Sequence, residues 1–107
     1  MLPKKNRVIT KEVDRIFKEG IFLNSPSLTF KYFKNNTGVV KISFIAPKSI
    51  AKLAVKRNLL RRRGYSALEK NIKESPLSVI GVFIFKKYQD DILTLSNEIK
   101  NIFNKIN

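Results

Sequence analysis

Sixteen residues from Lys48 to Arg63, KSIAKLAVKRNLLRRR, hold seven cations and no carboxylate. At about 100° per residue, Lys48, Lys52, Lys56 and Arg63 fall on one helical stripe, and Arg57 and Arg61 on a neighbouring one. Arg62 projects elsewhere, so positive charge wraps a broad part of the segment. Like charges four residues apart repel by a few tenths of a kcal/mol per pair. A carboxylate on the same surface would relieve this, but the sequence places none there; a polyanion would relieve it too. Arginine adds planar, bidentate recognition of phosphate, and Asn58 among the arginines can bond a base edge or a sugar. A charge run usually marks a solvated helix face. The lack of any acidic residue, in a chain of net charge +14, favours contact with RNA or DNA.

Arg57 lies close to the Leu53–Leu60 side of the wheel. Either its stem packs at the core boundary with the head in solvent, or the head is held rigidly at the rim of a groove. Phe17, Phe22, Phe30, Tyr32, Phe33 and Tyr88 are candidates to stack on unpaired bases. Aromatics at strand and helix spacing are more often core. Tyr32 and Phe33 point to opposite faces, so both are buried only if the sheet is covered twice.

Catalytic groups are scarce. The chain has no Cys and no His, which removes disulfides, thiolate and imidazole metal sites, Cys nucleophiles and His acid–base chemistry. Asp90 and Asp91 are adjacent and would diverge on a helix, so capping is the expected role. No Gly-rich phosphate loop is present. The chain itself is expected to carry no catalytic residue and to bind no metal alone.

The elements that must position these groups follow from periodicity. The 107 residues are the size of one domain, read as a single RNA-binding unit over 1–107, and 43% hydrophobic residues supply a modest core. Residues 1–9 are basic and are expected to be extended, with no apolar signal region, and no apolar run is long enough to span a membrane; the expected location is the cytosol. Thr10 can cap a helix over about 10–19, whose apolar face is Val13, Ile16 and Phe17, with Gly20 as its stop. Leu28, Phe30 and Tyr32 alternate with their neighbours, as do Val40, Ile42, Phe44 and Ala46. With the turn cluster Asn35-Asn36-Thr37-Gly38 between them, they read as an antiparallel hairpin. A helix is expected from about Ser49 to Asn71 on a core stripe of Leu53, Leu60 and Ala67, then a break at Glu74-Ser75-Pro76. Val79 to Phe85 reads as a strand buried on both faces. Leu95, Ile99, Ile102, Phe103 and Ile106 form one face of a last helix. The expected class is α+β, an α-β sandwich of order α-β-β-α-β-α, with a mixed sheet and helices packed on it.

In this order the motifs resemble those of the bacterial ribonuclease P protein family across nearly the whole chain. That family opens on a basic tail with an Arg, here Arg7, then a helix of pattern F-x-x-V-F-x-x-G, here Val13, Ile16, Phe17 and Gly20, with Val13 in place of the first aromatic. A turn of Ser-Lys-Lys or Pro-Lys-Lys type follows the second strand, here Ala46-Pro47-Lys48-Ser49. The signature A-V-x-R-N-R-x-K-R reads Ala54-Val55-Lys56-Arg57-Asn58-Leu59-Leu60-Arg61-Arg62. Leu59 replaces one signature cation. Arg63 adds one on a different face.

The resemblance implies a left-handed βαβ crossover and a holoenzyme whose large RNA subunit, with Mg²⁺, hydrolyses the phosphodiester that frees the mature 5′ end of tRNA. The protein would bind that RNA through Arg57, Asn58, Arg61 and Arg62, with Lys48 nearby. It would hold the single-stranded 5′ leader of precursor tRNA in a cleft between the sheet and the final helix, with Phe17 and Tyr32 on the leader side. The basic-helix residues Lys52, Lys56 and Arg63 join the RNA-contacting set by charge. Neither a membrane nor an obligate protein partner is called for. The competing class is a structural, rRNA-binding ribosomal protein, which size, charge and a mixed sheet fit equally well.

Overall fold

The computed structural model describes residues 10–34, 38, 40–72 and 78–106. The basic tail with Arg7, the turn residues 35–37 and the break at 74–76 lie outside them. The elements are α1 (Thr10–Glu19), β1 (Ile21–Asn24), β2 (Leu28–Lys34), β3 (Lys41–Ile45), α2 (Ala54–Ile72), β4 (Val79–Phe85) and α3 (Ile92–Ile106). The class is α+β and the sheet is mixed, with one strand more than expected.

The extra strand is β1. Its IFLN run shows no alternation, which is why periodicity passes over it; it is an edge strand with only Leu23 half-buried among exposed neighbours. It forms the sheet's one antiparallel hairpin, with β2, in a register of Ile21 opposite Tyr32 and Asn24 opposite Thr29. The expected hairpin between β2 and β3 is absent. The strand order is β1-β2-β4-β3, and β4 lies between the two, antiparallel to β2 and parallel to β3. Burial explains this. β4, VIGVFIF, is apolar on both faces and belongs inside the sheet, whereas β3, which opens on Lys41, tolerates an edge. The parallel pair β3–β4 is connected through α2.

Helices pack on both faces of the sheet, fully covering one and partly covering the other. On one, Phe30, Phe44 and Phe83 form a stack, with centroids 4.3 Å apart for Phe30–Phe83 and 5.0 Å for Phe44–Phe83. Leu60, Ala67 and Leu68 of α2 and Leu95, Ile99 and Ile102 of α3 close over it with no exposed surface. On the other face α1 rests on β2 and β4, where Ile16 and Val82 are fully buried. Gly20 ends α1 because of a close approach. A Cβ there would sit 2.3 Å from the Ile16 carbonyl oxygen that the Gly20 N–H bonds, and 3.2 Å from that of Tyr32.

Besides the β2–β4 ladder, two side chains tie the turn of the β1–β2 hairpin to the rest. Glu98 of α3 is buried and accepts from the Ser27 N–H at 2.7 Å and the Ser25 hydroxyl at 2.5 Å. The Lys86 ammonium donates to the Ser25 carbonyl at 2.9 Å. Asp91 caps α3 as expected, accepting from the Thr94 N–H and hydroxyl. The hydroxyl bond, then the N–H bond, holds the Asp91 carboxyl below its usual range, with Arg63 adding a smaller pull.

Gly64 sets how closely α2 lies on the sheet. A Cβ at this position would meet three ring atoms of Phe44 at 2.6–3.0 Å. Glycine to alanine inside a helix ordinarily stabilises by about 1 kcal/mol. Here Gly64→Ala is expected to destabilise by about 1–3 kcal/mol, because Phe44 is wedged against Phe83 and cannot yield. Urea unfolding of the variant reads the sign directly.

Candidate nucleic-acid interface

The basic helix begins later than its composition suggests. Helical structure starts at Ala54, whereas the expected helix began near Ser49. The Pro47 carbonyl accepts from the Ile50 N–H at 3.0 Å and the Ala51 N–H at 3.2 Å, closing a separate turn ahead of the helix. The Leu53 carbonyl then accepts from the Lys56 and Arg57 N–H groups and opens α2. Lys48 and Lys52 are therefore on the turn, not on a helical stripe with Lys56 and Arg63. Leu53 is 63% exposed and drops out of the core stripe, since Ala51 is the residue that turns inward. Leu60 and Ala67 hold the expected core positions.

Turn and helix together present one cationic surface. Lys48, Lys52, Lys56, Asn58, Arg62 and Arg63 are exposed, and Arg57 and Arg61 half-buried. Two of these side chains are oriented by the protein. Arg61 donates through Nη2 to the Asn58 Oδ1. Arg57 donates through Nη1 to the carbonyls of Ala51, at 3.0 Å, and Lys52, at 2.8 Å. The Arg57 head is thus bonded to the backbone rather than left free in solvent. It ties the first turn of α2 to the turn that carries Lys48 and Lys52.

The aromatic candidates divide. Tyr32 is only 5% exposed and stacks on Phe30, with centroids 5.2 Å apart and planes 10° apart. Its ring is part of the core and has no face left for a base. Phe17 is 46% exposed, with the Lys31 ammonium 4.8 Å from its centroid. Phe22 is exposed and, opposite Lys31 in the β1–β2 register, points to the same side. Phe33 lies under the Arg15 guanidinium at 4.2 Å. Sequence reading passed over Lys31 and Arg15 as ligands of aromatic faces; the available signal was Lys31 between Phe30 and Phe33 on a strand whose outer face had to be covered by α1.

The expected cleft between the sheet and the final helix is filled. Leu95, Ile99 and Ile102 are fully buried there and Phe103 nearly so. The partly uncovered sheet surface is the opposite one, beside α1.

Among the described residues no three carboxylates gather into a metal-binding group, and no helix is long and apolar enough to cross a membrane. Three carboxylates have local duties: Asp91 caps α3, Glu98 holds the hairpin turn, and exposed Glu19 pairs with Arg15 at 3.1 Å.

The sequence matches the model of the ribonuclease P family over residues 2–107. The chain belongs to the ribonuclease P family. This places it among ribonuclease P protein subunits, which act in tRNA processing, and sets aside the structural ribosomal protein. Solved ribonuclease P proteins share the fold. That of Thermotoga maritima is 21% identical, with a TM-score of 0.82 over 94% of this chain and 97% of the other. That of Staphylococcus aureus is 17% identical, with a TM-score of 0.78 over 96% of both. No curated protein matches the sequence.

Proposed function

We propose that α2 and the turn before it bind the catalytic RNA of ribonuclease P, and that the sheet face beside α1 holds the 5′ leader of precursor tRNA. The observation that carries this reading is the cationic stretch from Lys48 through Arg63, which holds no carboxylate of its own, in a chain of this family. Arg57 and the Asn58–Arg61 pair fix its geometry, so cations meet phosphates with part of their ordering entropy already spent. On the α1 side, Phe17, Phe22 and Lys31 offer two exposed rings and a cation to a single strand, a combination that suits stacking without sequence readout. Phosphodiester hydrolysis belongs to the RNA subunit, where Mg²⁺ would activate the attacking water. No residue of this chain enters that step. The complex works in the cytoplasm.

The electrostatic part is tested by salt. With roughly four to six phosphate contacts, the log–log slope of RNA affinity against salt concentration is expected to be about −3 to −5. A filter-binding titration with ribonuclease P RNA checks it, and a slope near zero contradicts the reading.

A further inference from the structure

A groove of about 320 Å³ opens between α2 and the start of α3, lined by Leu59, Arg62, Arg63, Ser66 and Ile92. Its size is at the low end of ligand sites, which run to roughly 300–1,000 Å³, and suits one nucleotide better than a larger ligand. Its chemistry is divided. Leu59 and Ile92 are half-buried and form an apolar floor, whereas Arg62, Arg63 and Ser66 are exposed at the rim. Among the described residues, neither guanidinium has a hydrogen-bonded or ion-paired partner; Arg63 acts on Asp91 only through its charge.

Leu59 is also the position where the family signature has an arginine. In the structure this departure exchanges a cation for the apolar floor of a groove whose rim is still cationic. A plain phosphate contact gains nothing from that exchange. A nucleotide does: its phosphate takes Arg62 and Arg63, its base covers Leu59 and Ile92, and the Ser66 hydroxyl can bond the ribose.

We propose that this groove is a binding site for a single unstacked nucleotide of RNA. The proposal rests on the RNA-binding reading above and goes beyond it by assigning a base-dependent subsite on the outer side of the basic helix.

The test is methyl-labelled NMR of the full chain titrated with adenosine 5′-monophosphate, ribose 5-phosphate and inorganic phosphate in turn. Adenosine monophosphate is expected to shift the Leu59 and Ile92 methyl signals by its ring current, with an affinity about tenfold above that of ribose 5-phosphate. Leu59→Arg is expected to remove that tenfold preference while leaving phosphate binding in place. Arg62→Gln with Arg63→Gln is expected to weaken all three ligands. Equal responses to all three would reduce the groove to an anion site and overturn the proposal, as would nucleotide-induced shifts elsewhere with none at Leu59 and Ile92. Because Leu59 is half-exposed, the variant's unperturbed core methyl spectrum verifies folding. Reconstituted cleavage of precursor tRNA, measured in parallel, keeps the outcomes separate. If cleavage is supported and the groove is silent, only this proposal fails.

Discussion

Tyr32→Ala is expected to lower the stability of the domain by about 3–5 kcal/mol, a large share of the roughly 5–15 kcal/mol that holds a small domain together. The ring is almost wholly buried and lies flat on Phe30, which in turn stacks on Phe83. Truncation leaves a cavity bordered by aromatic rings that cannot collapse into it without breaking the central stack. Urea unfolding measures the loss. Where the variant is still folded, its effect on precursor tRNA is expected to be the same with and without the 5′ leader. Phe17→Ala is the contrasting variant. Its ring is nearly half exposed and its partner is the Lys31 ammonium, so stability is expected to change by no more than about 1 kcal/mol. Binding of leadered substrate is expected to weaken by about 1–3 kcal/mol, with leaderless substrate unaffected. A Tyr32→Ala protein of undiminished stability that loses leadered substrate alone would return Tyr32 to the leader side.

The second large effect is expected at Arg57. Its Nη1 bridges the carbonyls of Ala51 and Lys52, at a reach one bond longer than that of a lysine ammonium. Arg57→Ala is expected to weaken assembly with ribonuclease P RNA by about 1–3 kcal/mol, and Arg57→Lys by nearly as much although it keeps the charge. Amide exchange at Ile50 and Ala51, whose N–H groups bond the Pro47 carbonyl, is expected to quicken in both variants. Arg61→Ala is expected to weaken assembly without that quickening, since its partner is Asn58 on the helix surface. Full rescue of RNA binding by Arg57→Lys would mean that only the charge matters.

Much of this organisation is legible in the residues. The bounds of α1 and β4 follow from apolar spacing, and the α3 face from Leu95, Ile99, Ile102, Phe103 and Ile106, all of which are buried. The basic surface and the Asp91 cap are equally plain. Strand pairing is not, because alternation tells which residues face inward but not which strand lies beside which. The choice of β4 over β3 as the neighbour of β2 depends on tertiary burial of a strand forty-five residues further along. The helix start is hidden for a local reason. Lys48 to Leu53 has helix-forming composition, yet the Pro47 carbonyl draws two N–H groups into a separate turn. Tyr32 shows the limit of residue type as a guide: the same amphipathic ring serves a core or a base, and only the covering of its sheet face by α2 and α3 decides. Glu98 carries no sequence signal, as its partners Ser25 and Ser27 are more than seventy positions away.

The central claim is that this chain is the RNA-binding partner of a catalytic RNA. Its most direct test is reconstitution. A bacterial ribonuclease P RNA is assayed on precursor tRNA with a 5′ leader, with and without the chain, at a fixed low Mg²⁺ concentration. The account predicts faster cleavage at the mature 5′ end when the chain is present, a gain that shrinks when the leader is shortened and when Lys56, Arg61 and Arg62 are replaced together. An unchanged cleavage rate, with the folded chain showing no salt-sensitive affinity for the RNA, would contradict it.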